Sequence, residues 1–90
     1  MRSVTVANRL GLHARAAARF VHVASRFQSR VTVTRGSQTM DGKSIMGILL
    51  LAAAKGAVLT LTADGPDERA ALDELGLLVE SGFGEDKCSA

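Results

Sequence analysis

A histidine and an arginine stand close together in the stretch GLHAR, where a glycine turn meets the expected start of a helix: His13 and Arg15. The N-terminus of a helix presents unpaired backbone N–H groups and a partial positive charge, and both stabilise an anion brought beside it. A neutral imidazole is a nucleophile, and a guanidinium offers planar, charge-assisted hydrogen bonds to phosphate oxygens. The spacing therefore predicts a nucleophile and an anion cradle within five residues.

Spacing alone leaves a plainer interpretation open, in which His13 only caps the helix and Arg15 is an ordinary surface charge. The second histidine, His22, follows nine residues later and falls half a turn out of phase in a continuous helix. The two rings therefore cannot converge on one metal ion. We expect His22 to be a surface residue.

The elements around this segment are indicated by the period of the apolar residues. Val4 and Val6 alternate with polar residues, as a strand with one buried face requires. From position 14 to about 27, apolar residues recur at helical spacing while basic residues fall on another face. This pattern predicts a strand, a break at Gly11 and an amphipathic helix.

A hairpin and a second helix are predicted next. Residues 31–34 alternate, and a turn at 35–37 lets residues 39–40 return as a partner strand. Ser44 then stands where a helix N-cap belongs, because its hydroxyl can accept a free backbone N–H of the following turn. This helix is expected to run to about residues 55–56.

The C-terminal half repeats the strand and helix pattern. Residues 57–63 alternate, and a turn at 64–67 leads into a third amphipathic helix that Gly82 and Gly84 end. The order is strand, helix, strand, strand, helix, strand, helix. Because helices on one face of an antiparallel sheet are the natural two-layer arrangement, the fold class is α+β.

Composition excludes several classes of protein. Ninety residues fit one domain, and the longest apolar run, within 45–54, is too short for a membrane-spanning helix. No secretory signal pattern is visible, and the single cysteine, Cys88, cannot form an internal disulfide. A net charge of +2 without Trp or Tyr does not indicate a nucleic-acid interface. We expect a cytoplasmic protein without membrane insertion or bound metal.

Two stretches resemble the phosphocarrier protein HPr family of the bacterial phosphoenolpyruvate-dependent sugar phosphotransferase system. Residues 11–17, GLHARAA, are similar to the active-site signature, and residues 42–48, GKSIMGI, are similar to the regulatory serine segment. The resemblance covers residues 1–84 as an HPr-like phosphocarrier domain and leaves 85–90 as a C-terminal tail. It implies an open-faced β-sandwich, with a four-stranded antiparallel sheet and three helices on one face.

The resemblance also implies roles for the residues of the first stretch. His13 corresponds to the histidine that enzyme I phosphorylates on Nδ1, before the group passes to enzyme IIA. Arg15 corresponds to the arginine that assists phosphate binding and transfer, and the backbone N–H groups of Ala14 and Arg15 face the phosphoryl oxygens. Ala16 stands where proline is frequent, and Leu10 where many members carry a small polar residue. The implied protein is a monomeric transfer intermediate without a cofactor, and not a stand-alone enzyme.

The second predicted helix carries more apolar residues than one face can bury. Ile48 and Leu51 are expected in the core. The others are expected to form an exposed patch beside the histidine that docks partner proteins: Ile45, Met46 and Leu49.

Ser44 corresponds to the family's regulatory serine, which implies phosphorylation by a dedicated ATP-dependent kinase. The simpler interpretation is that Ser44 is only a helix cap. This residue also leaves an alternative function open, a nitrogen-type or kinase-controlled HPr-like protein that acts by phosphorylation-dependent docking and not in sugar transport.

Overall fold

A computed structural model describes residues 1–84 of the chain. The predicted order of elements is confirmed. The strands are β1 Arg2–Thr5, β2 Arg30–Arg35, β3 Gln38–Asp41 and β4 Val58–Asp64, and the helices are α1 Ala14–Ala24, α2 Ile45–Leu50 and α3 Glu68–Glu80. A short 3₁₀ turn, Gly82–Gly84, follows α3. The predicted tail and Cys88 lie outside the described residues.

The four strands form one antiparallel sheet in the order β1-β4-β2-β3. Val33 on β2 lies opposite Leu61 on β4 and Met40 on β3, and Val4 on β1 lies opposite Leu59 on β4. Val4, Val33, Leu59 and Leu61 are all buried, because alternate residues of each strand point to the helical layer.

The opposite face of the sheet carries threonine pairs and no helix in the described part of the chain. Thr32 lies opposite Thr62, and Thr34 lies opposite Thr60, and all four are half-buried. The predicted open-faced β-sandwich with three helices on one face is therefore confirmed.

The core between sheet and helices is aliphatic except for two phenylalanines, Phe20 of α1 and Phe83 after α3. Burying such side chains is the main favourable term in folding, at about 25 cal/mol per Å² of apolar surface. The helices contribute these fully buried residues: Ala17, Phe20, Ile48, Leu75 and Val79.

The second helix ends earlier than its sequence predicts. We expected it to reach residues 55–56, yet α2 ends at Leu50. The N–H of Ala52 bonds the carbonyl of Leu49, an i−3 spacing that tightens the last turn, and Ala52 itself has a positive φ of 48°. The carbonyl of Ala53 then accepts the N–H of Leu12 at 2.9 Å, so a contact from the other end of the domain replaces another helical turn.

The first helix also ends three residues before its predicted limit. Regular α1 stops at Ala24, and Arg26 and Phe27 continue with i−3 hydrogen bonds to Val23 and Ala24. Among residues 1–84, no helix is both long enough and apolar enough to cross a membrane.

The start of α3 is tied to the loop that precedes β2. The carboxylate of Asp67 accepts the N–H groups of Gln28 and Ser29, each at 2.9 Å, and the Ser29 hydroxyl. These donors lower the pKa of Asp67, with the Ser29 hydroxyl as the largest cause and the Gln28 N–H as the next.

Candidate functional site

His13 occupies the N-cap position of α1 with an extended backbone, φ −76° and ψ 179°. Its side chain makes no capping hydrogen bond to the helix, and the residue is half-buried. The plainer interpretation, in which the imidazole only caps the helix, therefore does not describe this ring. Its position at the helix start is the one predicted from the sequence.

The turn before His13 is held by a close approach to the Ala53 backbone and by the side chain of Asn8. Gly11 has a positive φ of 67°, and a Cβ at this position would lie 2.4 Å from the carbonyl oxygen of Ala53. Asn8 donates its side-chain amide to the Gly11 carbonyl at 2.8 Å, and Leu12 is buried. Only glycine allows both this conformation and this close approach to Ala53. His13 follows Gly11 by two residues, so this turn sets the path of the chain into the histidine.

The first turn of α1 supplies backbone donors next to His13. The first bond of the helical ladder is donated by the N–H of Ala17 to the carbonyl of His13, at 2.8 Å. The N–H groups of Ala14, Arg15 and Ala16 precede that ladder, as the first donors of any helix do. The helix begins regularly with Ala16 fully buried, so alanine in place of proline does not delay it.

His13 lies in an open depression of about 730 Å³. Its lining residues come from the turn before α1, from α1 itself and from the end of the described chain: Arg9, Leu10, His13, Ala14, Arg15, Arg19 and Gly84. Three of these residues are arginines, and the sequence predicted a phosphate-binding role for only one of them, Arg15. Arg19 stands four residues after Arg15, which places both on one helix face, so helical spacing could have identified it.

Ser44 is the N-cap of α2, as predicted. Its hydroxyl oxygen accepts the N–H of Gly47 at 3.1 Å, and the residue is half-buried.

The exposed surface of α2 differs in detail from the predicted patch. Ile45 and Met46 are exposed, and Ile48 and Leu51 are fully buried as predicted. Leu49 is half-buried against the core, and its neighbour is the third exposed apolar residue of the helix: Leu50.

The two ends of α2 lie at opposite ends of α1. Beyond the C-terminus of α1, the carbonyl of Phe27 accepts the Lys43 ammonium at 2.7 Å, just before α2 begins. Beyond the C-terminus of α2, Ala53 bonds Leu12, next to the start of α1. The helices are therefore antiparallel. Ser44 therefore begins α2 at the end nearer to Phe27, and not at the end that bonds Leu12.

The predicted docking patch begins at this end of α2. Ile45 and Met46 are the first residues of α2, directly after Ser44 and the Lys43 that bonds the Phe27 carbonyl, and their place in a docking patch beside the histidine stays a prediction. Leu50, at the opposite end of α2, is nearer to the turn that carries His13.

Chemically, the site places an imidazole beside guanidinium groups and backbone N–H groups, the donors that suit an anion. In residues 1–84, no group of three or more His, Cys, Asp or Glu side chains could hold a metal ion. His22 is exposed on α1 and does not line the depression. The arrangement combines one nucleophile with guanidinium and backbone donors.

Comparison with known proteins agrees with this chemistry. The model of the phosphorylation site of the HPr component of the phosphotransferase system matches residues 1–81. The phosphocarrier protein HPr of Cupriavidus necator is 48% identical over 84 residues, which cover 93% of this chain and 94% of that protein. A crystal structure of HPr from Thermoanaerobacter tengcongensis superposes with a TM-score of 0.89 at 44% identity, covering 93% and 94% of the two chains.

The chain belongs to the HPr family of phosphocarrier proteins. It is a phosphoryl carrier of the phosphotransferase system, a role consistent with sugar transport, and the family implies partners within that system such as enzyme I and enzyme IIA. The purely regulatory alternative is not favoured. Another similar structure is that of Crh, the catabolite repression containing protein of Bacillus subtilis, with a TM-score of 0.76 at 40% identity, covering 91% and 94% of the two chains.

Proposed function

We propose that His13 accepts the phosphoryl group, as Nδ1 of a neutral imidazole. The observation that carries this proposal is the position of His13 at the start of α1, inside a depression that three arginines line. In the transfer, the lone pair of Nδ1 forms a bond to phosphorus while the bond between phosphorus and the donor protein breaks. The donor keeps that bond's electron pair, and the ring keeps its proton on Nε2. The reverse exchange delivers the group to the acceptor protein.

The neighbouring residues hold the charge of the transferred group. The backbone N–H groups of Ala14 and Arg15 lie at the positive end of the α1 dipole, where an anion is stabilised. The guanidinium of Arg15 lines the depression and can donate two parallel hydrogen bonds to phosphoryl oxygens. Such prepositioned donors stabilise charge without reorganising during transfer.

The donor is enzyme I and the acceptor is an enzyme IIA, and both dock on the same surface. Ile45, Met46 and Leu49 form the predicted docking patch, and Leu50 extends it towards the site. Apolar side chains that stay in water in the free protein gain energy when a partner covers them. We further propose that the carrier is cytoplasmic and acts as a monomer.

Ser44 is the proposed regulatory residue, phosphorylated by an ATP-dependent kinase. Its oxygen accepts a hydrogen bond from Gly47, so the hydroxyl proton is not used in that bond. Because Ser44 lies at the end of α2 away from His13, its phosphorylation would act on docking at Ile45 and Met46 and not on the imidazole itself.

The test of the acceptor is phosphorylation by enzyme I and phosphoenolpyruvate, followed by mapping of the acid-labile phosphoryl group. The parent chain and the His22→Ala variant should each take up one group, and the His13→Ala variant should take up none while melting at the parent's temperature. Full phosphorylation of a folded His13→Ala variant would refute the assignment.

A further inference from the structure

We infer that Arg19 is a second phosphate-binding guanidinium of this site, held in place by the turn after α3; the inference rests on His13 as the acceptor. Arg19 lines the same depression as His13 and Arg15. It stands four residues beyond Arg15, about 6 Å along the axis, so both side chains leave the same face of α1. The depression therefore has two guanidinium groups from one helix.

The position of this guanidinium is fixed by a hydrogen bond across the domain. The NH1 group of Arg19 donates to the backbone carbonyl of Phe83, which is 64 positions away in sequence. This hydrogen bond can hold the Arg19 guanidinium in place only if the Phe83 carbonyl is itself held in place.

The acceptor is rigid because Phe83 is anchored in the core. Its side chain is fully buried, and its backbone has a positive φ of 56° between two glycines that also have positive φ, Gly82 and Gly84. A bulky residue keeps this conformation only where its surroundings dictate it. Its carbonyl thus stays where Arg19 can reach it, and Gly84 of the same turn lines the depression.

This arrangement suits a phosphoryl group. A guanidinium carries five N–H donors, and the bond to Phe83 uses the NH1 group. Fixing one part of the group reduces the freedom lost when other donors bind an anion. A phosphoryl group on His13 carries up to two negative charges, and a second guanidinium favours its dianionic form.

The competing explanation is that Arg19 only fastens the turn of Phe83 to α1. In that case its removal would lower the melting temperature and leave the ionisation of the phosphoryl group unchanged. Arg26, two residues after the end of α1, is a charge-matched control. It is exposed, and its guanidinium pairs with the Glu74 carboxylate at 2.7 Å. It does not line the depression.

The experiment is a pH titration of the phosphorylated chain, in which the ³¹P NMR shift of the phosphoryl group is measured at each pH. In Arg19→Gln the midpoint for the second ionisation should rise by about half a pH unit, a shift typical of losing one exposed ionic contact. Arg19→Lys should recover part of that shift, and Arg26→Gln should match the parent. Equal midpoints in Arg19→Gln and Arg26→Gln would overturn the inference.

A second measurement uses the unaltered chain, in case Arg19→Gln does not fold. The Nε–H resonance of Arg19 should move when His13 is phosphorylated, and that of Arg26 should not. An unmoved Arg19 resonance would also overturn the inference. A parent chain that enzyme I does not phosphorylate on His13 would refute the proposed function as well, which distinguishes that failure from a failure of Arg19 alone.

Discussion

The backbone N–H of Leu12 donates to the carbonyl of Ala53 at 2.9 Å and thereby joins the turn before His13 to the end of α2. One hydrogen bond thus connects the turn before His13, the proposed acceptor, to the helix that carries the proposed docking patch. It also explains why α2 is short, because a continued helix would have used the Ala53 carbonyl within its own ladder.

Gly11→Ala tests the close contact that this bond requires. A Cβ would lie 2.4 Å from the Ala53 oxygen, and the residue has a positive φ. We therefore expect the free energy of unfolding to fall by about 2–4 kcal/mol. Gly36→Ala is the control, because its φ is also positive, at 60°, and no atom lies within 4 Å of the new methyl group. That variant should lose about 1 kcal/mol. Equal losses in urea unfolding would show that contact with Ala53 is unimportant.

Met46→Glu tests the docking patch. Met46 is 66% exposed, so a charge there should leave the melting temperature within about 2 °C of the parent's. Docking to enzyme I should weaken about tenfold or more, because the interface would have to desolvate the carboxylate. The quantity to measure is the carrier concentration that half-saturates phosphorylation.

Leu77→Glu is the matched control for that variant. Leu77 has the same 66% exposure but lies on α3, outside the proposed patch. If it weakens enzyme I docking as much as Met46→Glu does, the patch is assigned to the wrong helix.

Ser44→Asp separates capping from regulation. Aspartate is as good an N-cap as serine, so this variant should stay folded, whereas Ser44→Ala should lose about 1 kcal/mol. The Asp variant should nevertheless dock enzyme I more weakly, because its charge adjoins Ile45 and Met46 and repels an acidic partner surface. If the Asp variant and the parent show the same dependence of phosphorylation on carrier concentration, Ser44 is a cap and nothing more.

Asp67→Asn tests the tie between α3 and the loop before β2. The folded state lowers the pKa of Asp67, so its contribution is fully present above the unfolded value of about 3.9 and is lost as pH falls through the lower folded value. Asp67→Asn should therefore melt at a lower temperature than the parent at pH 7, with the difference shrinking below about pH 4.

Asp73→Asn is the control for this charge change. Asp73 is exposed on α3, with its carboxylate 3.6 Å from the Arg2 guanidinium. We expect it to melt close to the parent at pH 7. A difference between Asp67→Asn and the parent that stays constant from pH 7 to pH 3 would exclude the linkage.

The sequence predicted the features that depend on local pattern. Alternating valines gave the strands, helical spacing gave the helices, and the hydroxyl of Ser44 marked the start of α2, since each signal lies within a few residues. The placement of His13 at a helix start followed from the glycine turn before it.

Features that depend on distant contacts were not predictable in this way. The bond from Arg19 to Phe83 joins residues 64 positions apart, and the bond from Ser29 to Asp67 joins residues 38 apart. The end of α2 was missed for the same reason, because the alanines after Leu50 favour helix locally and only the contact with Leu12 ends it.

The most direct test of His13 as acceptor is ¹⁵N NMR of the imidazole nitrogens, before and after phosphorylation by enzyme I and phosphoenolpyruvate. We predict that Nδ1 of His13 shifts and gains a one-bond coupling to ³¹P, while both nitrogens of His22 keep their resonances. A phosphoryl coupling on His22, or a phosphorylated chain in which neither nitrogen of His13 is coupled to phosphorus, would contradict the assignment.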